Sequence, residues 1–135
     1  MEIRPVDEMF AVAPQLQPQD MAELARQGYV AVMCNRPDAE EPGQPALDDM
    51  RAAAEAAGLA FHHIPVSGGA FPEASIAAFR AVRQGANGKV LAYCRTGTRS
   101  ITLDTLANCD GLSAEARIER AAQAGYDLSP LRDRL

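Results

Sequence analysis

The chain has 135 residues, 47% hydrophobic and 23% charged, with a net charge of −5 and a pI near 5.0. That size and balance predict one domain, residues 1–135, with a core that needs neither disulfides nor metals, and they exclude a disordered chain. An acidic chain lacks the basic surface that non-specific nucleic-acid or anionic-membrane binding requires, so any anion it binds must be gripped by a local site.

Residues Met9–Ala13 read as a short strand, stopped by Pro14. Pro18–Gln27 reads as a helix, with Met21, Leu24 and Ala25 on one face and Gly28 at its stop. Tyr29–Cys34 is a continuous apolar run, the pattern of a strand buried on both faces. A polar loop with Pro and Gly, Asn35–Gln44, leads to an Ala-rich helix over Ala46–Ala57. Ala60–Val66 is a second buried strand, and Ser67–Ala70 a turn. Pro72–Gln84 carries Ile76, Phe79 and Val82 on one helical stripe. Lys89–Cys94 is a third buried strand, followed by a helix from near Arg99 to about Asn108. Ser113 is the expected N-cap of a last helix reaching Ala124, before a short terminal segment at Ser129-Pro130. Strands separated by helices predict an α/β fold in three layers, with a mostly parallel sheet of four to five strands flanked by helices. Sites in such sheets form beyond the carboxyl ends of strands. Three loops qualify: those following Cys34, following Val66 and starting at Cys94.

Three cysteines, Cys34, Cys94 and Cys109, are too few and too scattered for a disulfide framework. With no Cys-x-x-Cys pair and only His62 and His63, neither a metal site nor a cofactor is expected. Met1-Glu2-Ile3-Arg4-Pro5 is not an apolar leader, and no apolar run approaches a membrane span, so a reducing cytoplasm is the expected setting.

The chemistry concentrates in Cys94-Arg95-Thr96-Gly97-Thr98-Arg99-Ser100, where a buried strand turns into a helix. Gly97 permits positive φ, inward-facing amides form an anion cradle, and the helix N-terminus adds about half a positive charge. Arg99 offers a two-pronged donor to an oxyanion, and Arg95 a further positive charge. Cysteines in such settings fall from a pKa of about 8.5 to between about 3.5 and 7.5, which predicts a Cys94 thiolate acting as nucleophile. Without those neighbours, Cys94 would read as a small buried hydrophobe. The spacing is Cys-x4-Arg, with Ser100 where a tyrosine-phosphatase loop, Cys-x5-Arg, has its arginine. It resembles the shorter rhodanese sulfurtransferase loop, a cradle better matched to a persulfide or thiosulfonate than to a full phosphoryl group.

The run Tyr93–Ser100, together with Asn35-Arg36-Pro37-Asp38, Glu40-Glu41-Pro42-Gly43-Gln44-Pro45 and Ala124-Gly125-Tyr126-Asp127-Leu128, resembles a bacterial family. This is the beta-lactamase-hydrolase-like, phosphatase-like domain family, also assigned as a sulfurtransferase. The resemblance implies a dual-specificity-phosphatase-like fold rather than the rhodanese fold. It also implies occasional fusion to a metallo-β-lactamase-like domain of the persulfide-processing type, a metallo-hydrolase expected as a partner, with this chain as the stand-alone form. The chain departs from the phosphatase pattern in two places. Asp104 and Cys109 stand in the helix after the loop, and Ser67–Glu73 holds no general-acid aspartate.

Asp38 is a candidate general acid or base if its strand neighbours that of Cys94; the alternative is a turn residue or cap. Arg36 is expected to pair with Glu40 or Glu41, the alternative being a ligand of a substrate anion. Cys34 ends a strand and reads as packed, with a resolving thiol as the alternative. Ser100 is either a donor to Cys94 or a helix-start serine. The leading reading is sulfur transfer through a Cys94 persulfide, from a small anionic or persulfide donor to a thiol acceptor. The alternatives are hydrolysis through a phosphocysteine, and a non-catalytic anion-binding or redox-sensing module.

Overall fold

A computed structural model describes residues 1–135. It is the expected α/β arrangement: a five-stranded sheet, mostly parallel, with helices on both faces. The strands are β1 (Arg4–Asp7), β2 (Phe10–Ala13), β3 (Tyr29–Cys34), β4 (Ala60–His63) and β5 (Lys89–Tyr93). Five helices accompany them: α1 (Asp20–Arg26), α2 (Leu47–Ala56), α3 (Glu73–Gly85), α4 (Thr98–Ala107) and α5 (Ala114–Gln123). A 3-10 helix, Ser129–Arg134, closes the chain. The sheet order is β1-β2-β5-β3-β4, and only β1 runs antiparallel to its neighbour.

Strand β5 lies in the middle, and all but its first residue are buried, as the unbroken apolar run dictates. Two cores flank the sheet. On one side Phe10, Met33, Val90 and Ala92 pack against Ile76 and Phe79 of α3, Ile101 and Leu103 of α4 and Ala121 of α5. On the other, Val32, Leu91 and Tyr93 pack against Met21 and Leu24 of α1 and Met50 and Ala54 of α2. The helix after β3 and the helix after β5 therefore lie on opposite faces. The carboxyl ends of these neighbouring strands open a crevice of the kind that binds ligands in open α/β sheets.

Three features differ from the sequence-based expectation. β1 was not expected: Arg4-Pro5-Val6-Asp7 has one aliphatic residue, and the strand exists only by pairing at the edge of β2, where a proline is tolerated. The strand expected over Ala60–Val66 ends at His63, since Pro65 has no N–H for the ladder; Ile64 and Val66 still donate to Cys34 and Asn35 carbonyls at 2.9 and 3.2 Å. Asp104, an anomaly in the sequence of α4, is buried within an ionic cluster. Arg83 bonds it directly, Arg120 lies 3.6 Å away, and both arginines also reach Asp7 at 3.4 Å. Burial pushes the Asp104 carboxyl up against the pull of the two arginines. Ser113 caps α5 as expected, accepting from Ala116 N–H at 3.1 Å.

Candidate active site

Cys94 follows directly on β5 and is fully buried. Main-chain hydrogen bonds brace both flanks: Asn35 N–H donates to Tyr93 O at 2.8 Å and Gln15 N–H to Arg95 O at 3.2 Å. The chain then turns at Gly97, with φ of +92°, and enters α4 at Thr98. In that turn Gly97 N–H points back and donates to Cys94 Sγ at 3.1 Å. The sulfur thus faces an amide at the positive end of a ten-residue helix. The next amide, of Thr98, is directed to Thr96 Oγ1 at 3.4 Å, and Thr96 in turn donates to Thr98 Oγ1 at 3.0 Å. Only glycine fits at 97: besides the positive φ, an added Cβ would lie 2.1 Å from Tyr126 Oη. That hydroxyl donates to Thr96 O at 2.9 Å, clamping the loop from outside, and burial keeps the Tyr126 phenol above its ordinary pKa.

The three loops expected from the sequence do meet here, and Arg99 joins them. Its Nη1 donates to Val66 O at 2.9 Å, in the loop after β4. Nη1 and Nη2 also donate to the two carboxylate oxygens of Glu40, in the loop after β3, at 2.8 and 2.9 Å. Glu40 Oε1 further accepts from Arg36 Nε at 2.8 Å. Arg99, then Arg36, holds the Glu40 carboxyl at about 2, well below the usual carboxylate range. Arg36 is buried, and its Nη1 donates to Gln15 Oε1 at 2.9 Å. Its Nη2 lies 2.8 Å from Glu41 Oε1, a charge contact that lacks hydrogen-bond geometry. Arg95 is exposed, 3.7 Å from Glu41. The Arg36 pairings are the expected ones; the pairing of Arg99 with Glu40 was not foreseen.

Other candidates fall as follows. Asp38 is exposed and accepts from Leu47 N–H at 3.0 Å, so it caps the start of α2. Ser100 is buried and donates to Asn35 Oδ1 at 2.8 Å, not to Cys94, while Asn35 Nδ2 donates to Ile64 O at 3.0 Å. This pair fastens α4 to the ends of β3 and β4. Cys34 is buried, its thiol donating to Arg36 O at 3.3 Å, and burial pushes that thiol up. His63 Nε2 lies 2.9 Å from the same carbonyl; a carbonyl only accepts, so Nε2 carries the proton. No three His, Cys, Asp or Glu side chains come together as metal ligands, and no helix is long and apolar enough to cross a membrane.

A cavity of about 330 Å³ borders the site, lined by Pro37, Pro65, Val66, Ser67, Ala70 and Pro72. A larger one, about 550 Å³, opens at the other end of the sheet beside Val30, Ala60, His62 and the end of α3. Neither cavity is lined by Cys94 or Arg99, and only the smaller touches their surroundings, through Val66, whose carbonyl accepts from Arg99.

A strand-to-helix loop with a buried cysteine, a helix-end amide and an arginine one turn on, in a sheet of this topology, defines a phosphatase-like α/β fold. The chain belongs to the family described as "Beta-lactamase hydrolase-like protein, phosphatase-like domain", which matches residues 2–111. Beta-lactamase hydrolase-like proteins are 38% identical over 130 residues in Xylella fastidiosa (strain Temecula1) and 40% identical over 125 residues in Agrobacterium fabrum. These alignments cover 95% and 91% of this chain but 30% and 29% of those proteins, so the chain spans under a third of their length. A Neisseria meningitidis protein provisionally assigned as a phosphatase has a crystal structure that superposes with a TM-score of 0.87. It is 37% identical, and the match covers 99% of this chain and 96% of that one. Tk-PTP in its active form superposes at 0.74 with 25% identity, covering 98% of this chain and 90% of that one.

Proposed function

We propose that this chain is a cysteine-dependent hydrolase of the phosphatase type, acting through a covalent phosphocysteine at Cys94. The observation that carries the reading is the 3.1 Å contact from Gly97 N–H to Cys94 Sγ at the turn that opens α4. It sets the sulfur beside a helix-end amide of the kind that binds oxyanions. The phosphatase assignments of the similar solved structures support the same chemistry. Sγ attacks phosphorus; an S–P bond forms, and the P–O bond to the leaving group breaks, its electron pair passing to the leaving oxygen. Water then attacks the phosphocysteine, releasing inorganic phosphate and the thiolate. Glu40, held at about 2 by two arginines, is not a proton donor at neutral pH, and Asp38 is engaged as a cap. The leaving oxygen therefore departs unprotonated, which favours aryl esters and anhydrides over alkyl esters.

A second reading, sulfur transfer, is favoured by the Cys-x4-Arg spacing and by a reaction that requires no acid. Sγ attacks a sulfane sulfur, its S–S bond breaks to release sulfite or a thiolate, and an acceptor thiolate then removes the sulfur from the Cys94 persulfide. Intact mass after exposure to an aryl phosphate or to thiosulfate distinguishes the two: about 80 Da added at Cys94 marks phosphoryl, about 32 Da marks sulfur. Turnover that survives Cys94→Ser would overturn both readings. An unreactive but oxidisable Cys94 would leave the sensing module.

A further inference from the structure

The guanidinium of Arg99 already holds an oxyanion: the Glu40 carboxylate, through two hydrogen bonds of 2.8 and 2.9 Å. This geometry, two parallel N–H donors on two carboxylate oxygens, is the one a substrate oxyanion would use. Glu40 is not a loose surface side chain. Its carboxylate also binds the buried Arg36, and its loop is braced by Gln44, which accepts from Glu40 N–H at 3.0 Å and donates to Pro37 O at 2.9 Å. Arg99 is fixed as well, because Val66 O accepts from Nη1 and limits its swing toward a second anion. An incoming oxyanion must displace Glu40 or share its guanidinium.

The local charge points the same way. Three guanidinium groups, Arg36, Arg95 and Arg99, face two carboxylates, Glu40 and Glu41, leaving one positive charge that a thiolate would cancel. A site near neutrality has little electrostatic hold on a doubly charged group, and the unscreened part of the repulsion comes from Glu40, the carboxylate nearest the Arg99 donors.

We infer that Glu40 is a selectivity residue: its carboxylate sits in the seat that Arg99 would offer an oxyanion, and so weakens the hold of the site on doubly charged groups such as the phosphate dianion. The inference rests on the reading of Cys94 and Arg99 as the reacting site. It makes inorganic phosphate a weakly held ligand and leaves substrates of lower charge less affected.

Calorimetric titration with inorganic phosphate at pH 8 tests it, on the full chain. Glu40→Gln keeps the side-chain shape and should bind phosphate at least about tenfold more tightly, the scale of one charge-assisted hydrogen bond regained. Glu40→Ala should move the same way. Glu55→Gln removes the same charge from an exposed position on α2 and should match the wild type. Adding Arg99→Ala to Glu40→Gln should abolish the gain. No gain in either Glu40 variant, an equal gain in Glu55→Gln, or a gain that survives loss of Arg99 would each overturn the inference. Aryl phosphate turnover measured alongside keeps the two ideas apart. Cys94-dependent turnover with no gain in phosphate binding sinks the selectivity role alone. Turnover indifferent to Cys94→Ser sinks the enzymatic reading, whatever the titration gives.

Discussion

Tyr126 Oη stands 2.1 Å from where a Cβ on Gly97 would be, so the hydroxyl that clamps the Cys94 loop also reserves position 97 for a residue with no side chain. Gly97→Ala should therefore cost about 1–3 kcal/mol from the left-handed backbone, with the steric conflict added to it. It should also turn the Gly97 amide away from Cys94, with activity falling by about two orders of magnitude or more, the scale of losing one oxyanion-type donor. Chemical denaturation and aryl phosphate turnover on the same preparation check this; a fully active, equally stable variant would show that the turn is not needed.

Asp104 and Arg83 form a buried pair whose side chains are 2% and 8% exposed. Asp104→Ala leaves the buried Arg83 guanidinium with only Asp7 as a carboxylate partner, while Arg120 keeps Asp7 and Asp110. The expected loss is about 3–5 kcal/mol, which lowers the thermal midpoint by at least about 10 °C. Differential scanning calorimetry measures it. Asp104→Leu, which fills the volume, should lose less if packing rather than ionic contact is what matters, and the comparison apportions the two.

Between Ser100 and Asn35 runs a buried 2.8 Å hydrogen bond that joins α4 to the end of β3. Ser100→Ala leaves Asn35 Oδ1 without this donor, and Asn35→Ala strands both the Ser100 hydroxyl and Ile64 O. Each should destabilise by about 1–3 kcal/mol, with the double variant less than additive by about 1 kcal/mol. A double-mutant cycle that sums without coupling would deny the pair any joint role.

Acid should release the Glu40 clamp within a defined window. The folded pKa is depressed from 4.5 to about 2, so the stabilisation from its ion pairs is fully present above about pH 4.5 and is lost as pH falls toward 2. Stability of the wild type relative to Glu40→Gln should be flat from pH 7 to 5, shrink below 4.5 and vanish near 2. The side chain is 28% exposed, so added salt should reduce the difference. A difference that persists unchanged at pH 2 would mean the carboxylate is not the source.

What could be read from the sequence was whatever repeats locally. Tyr29–Cys34 and Lys89–Tyr93 announce themselves as sheet interior because a strand covered on both faces needs apolar residues without alternation. The turn at Gly97 and the helix beyond it were legible because glycine and a polar helix start are local signals. Glu40 was legible as a partner of Arg36, four positions before it, but not of Arg99, which is 59 positions away and whose contact no spacing encodes. Tyr126 likewise sat in a run that carried kinship but no role. β1 has no pattern of its own, and Asp104 looked out of place until Arg83 and Asp7 came beside it from α3 and β1.

β5 is paired on both sides, to β2 and to β3, and is closed off from water by helices above and below. Its amides should accordingly exchange with deuterium only through whole-molecule opening. The Cys94 sulfur then has no private route to the outside that frees it from the scaffold. Weakening the scaffold should shrink the number of working molecules while leaving each survivor at its normal speed.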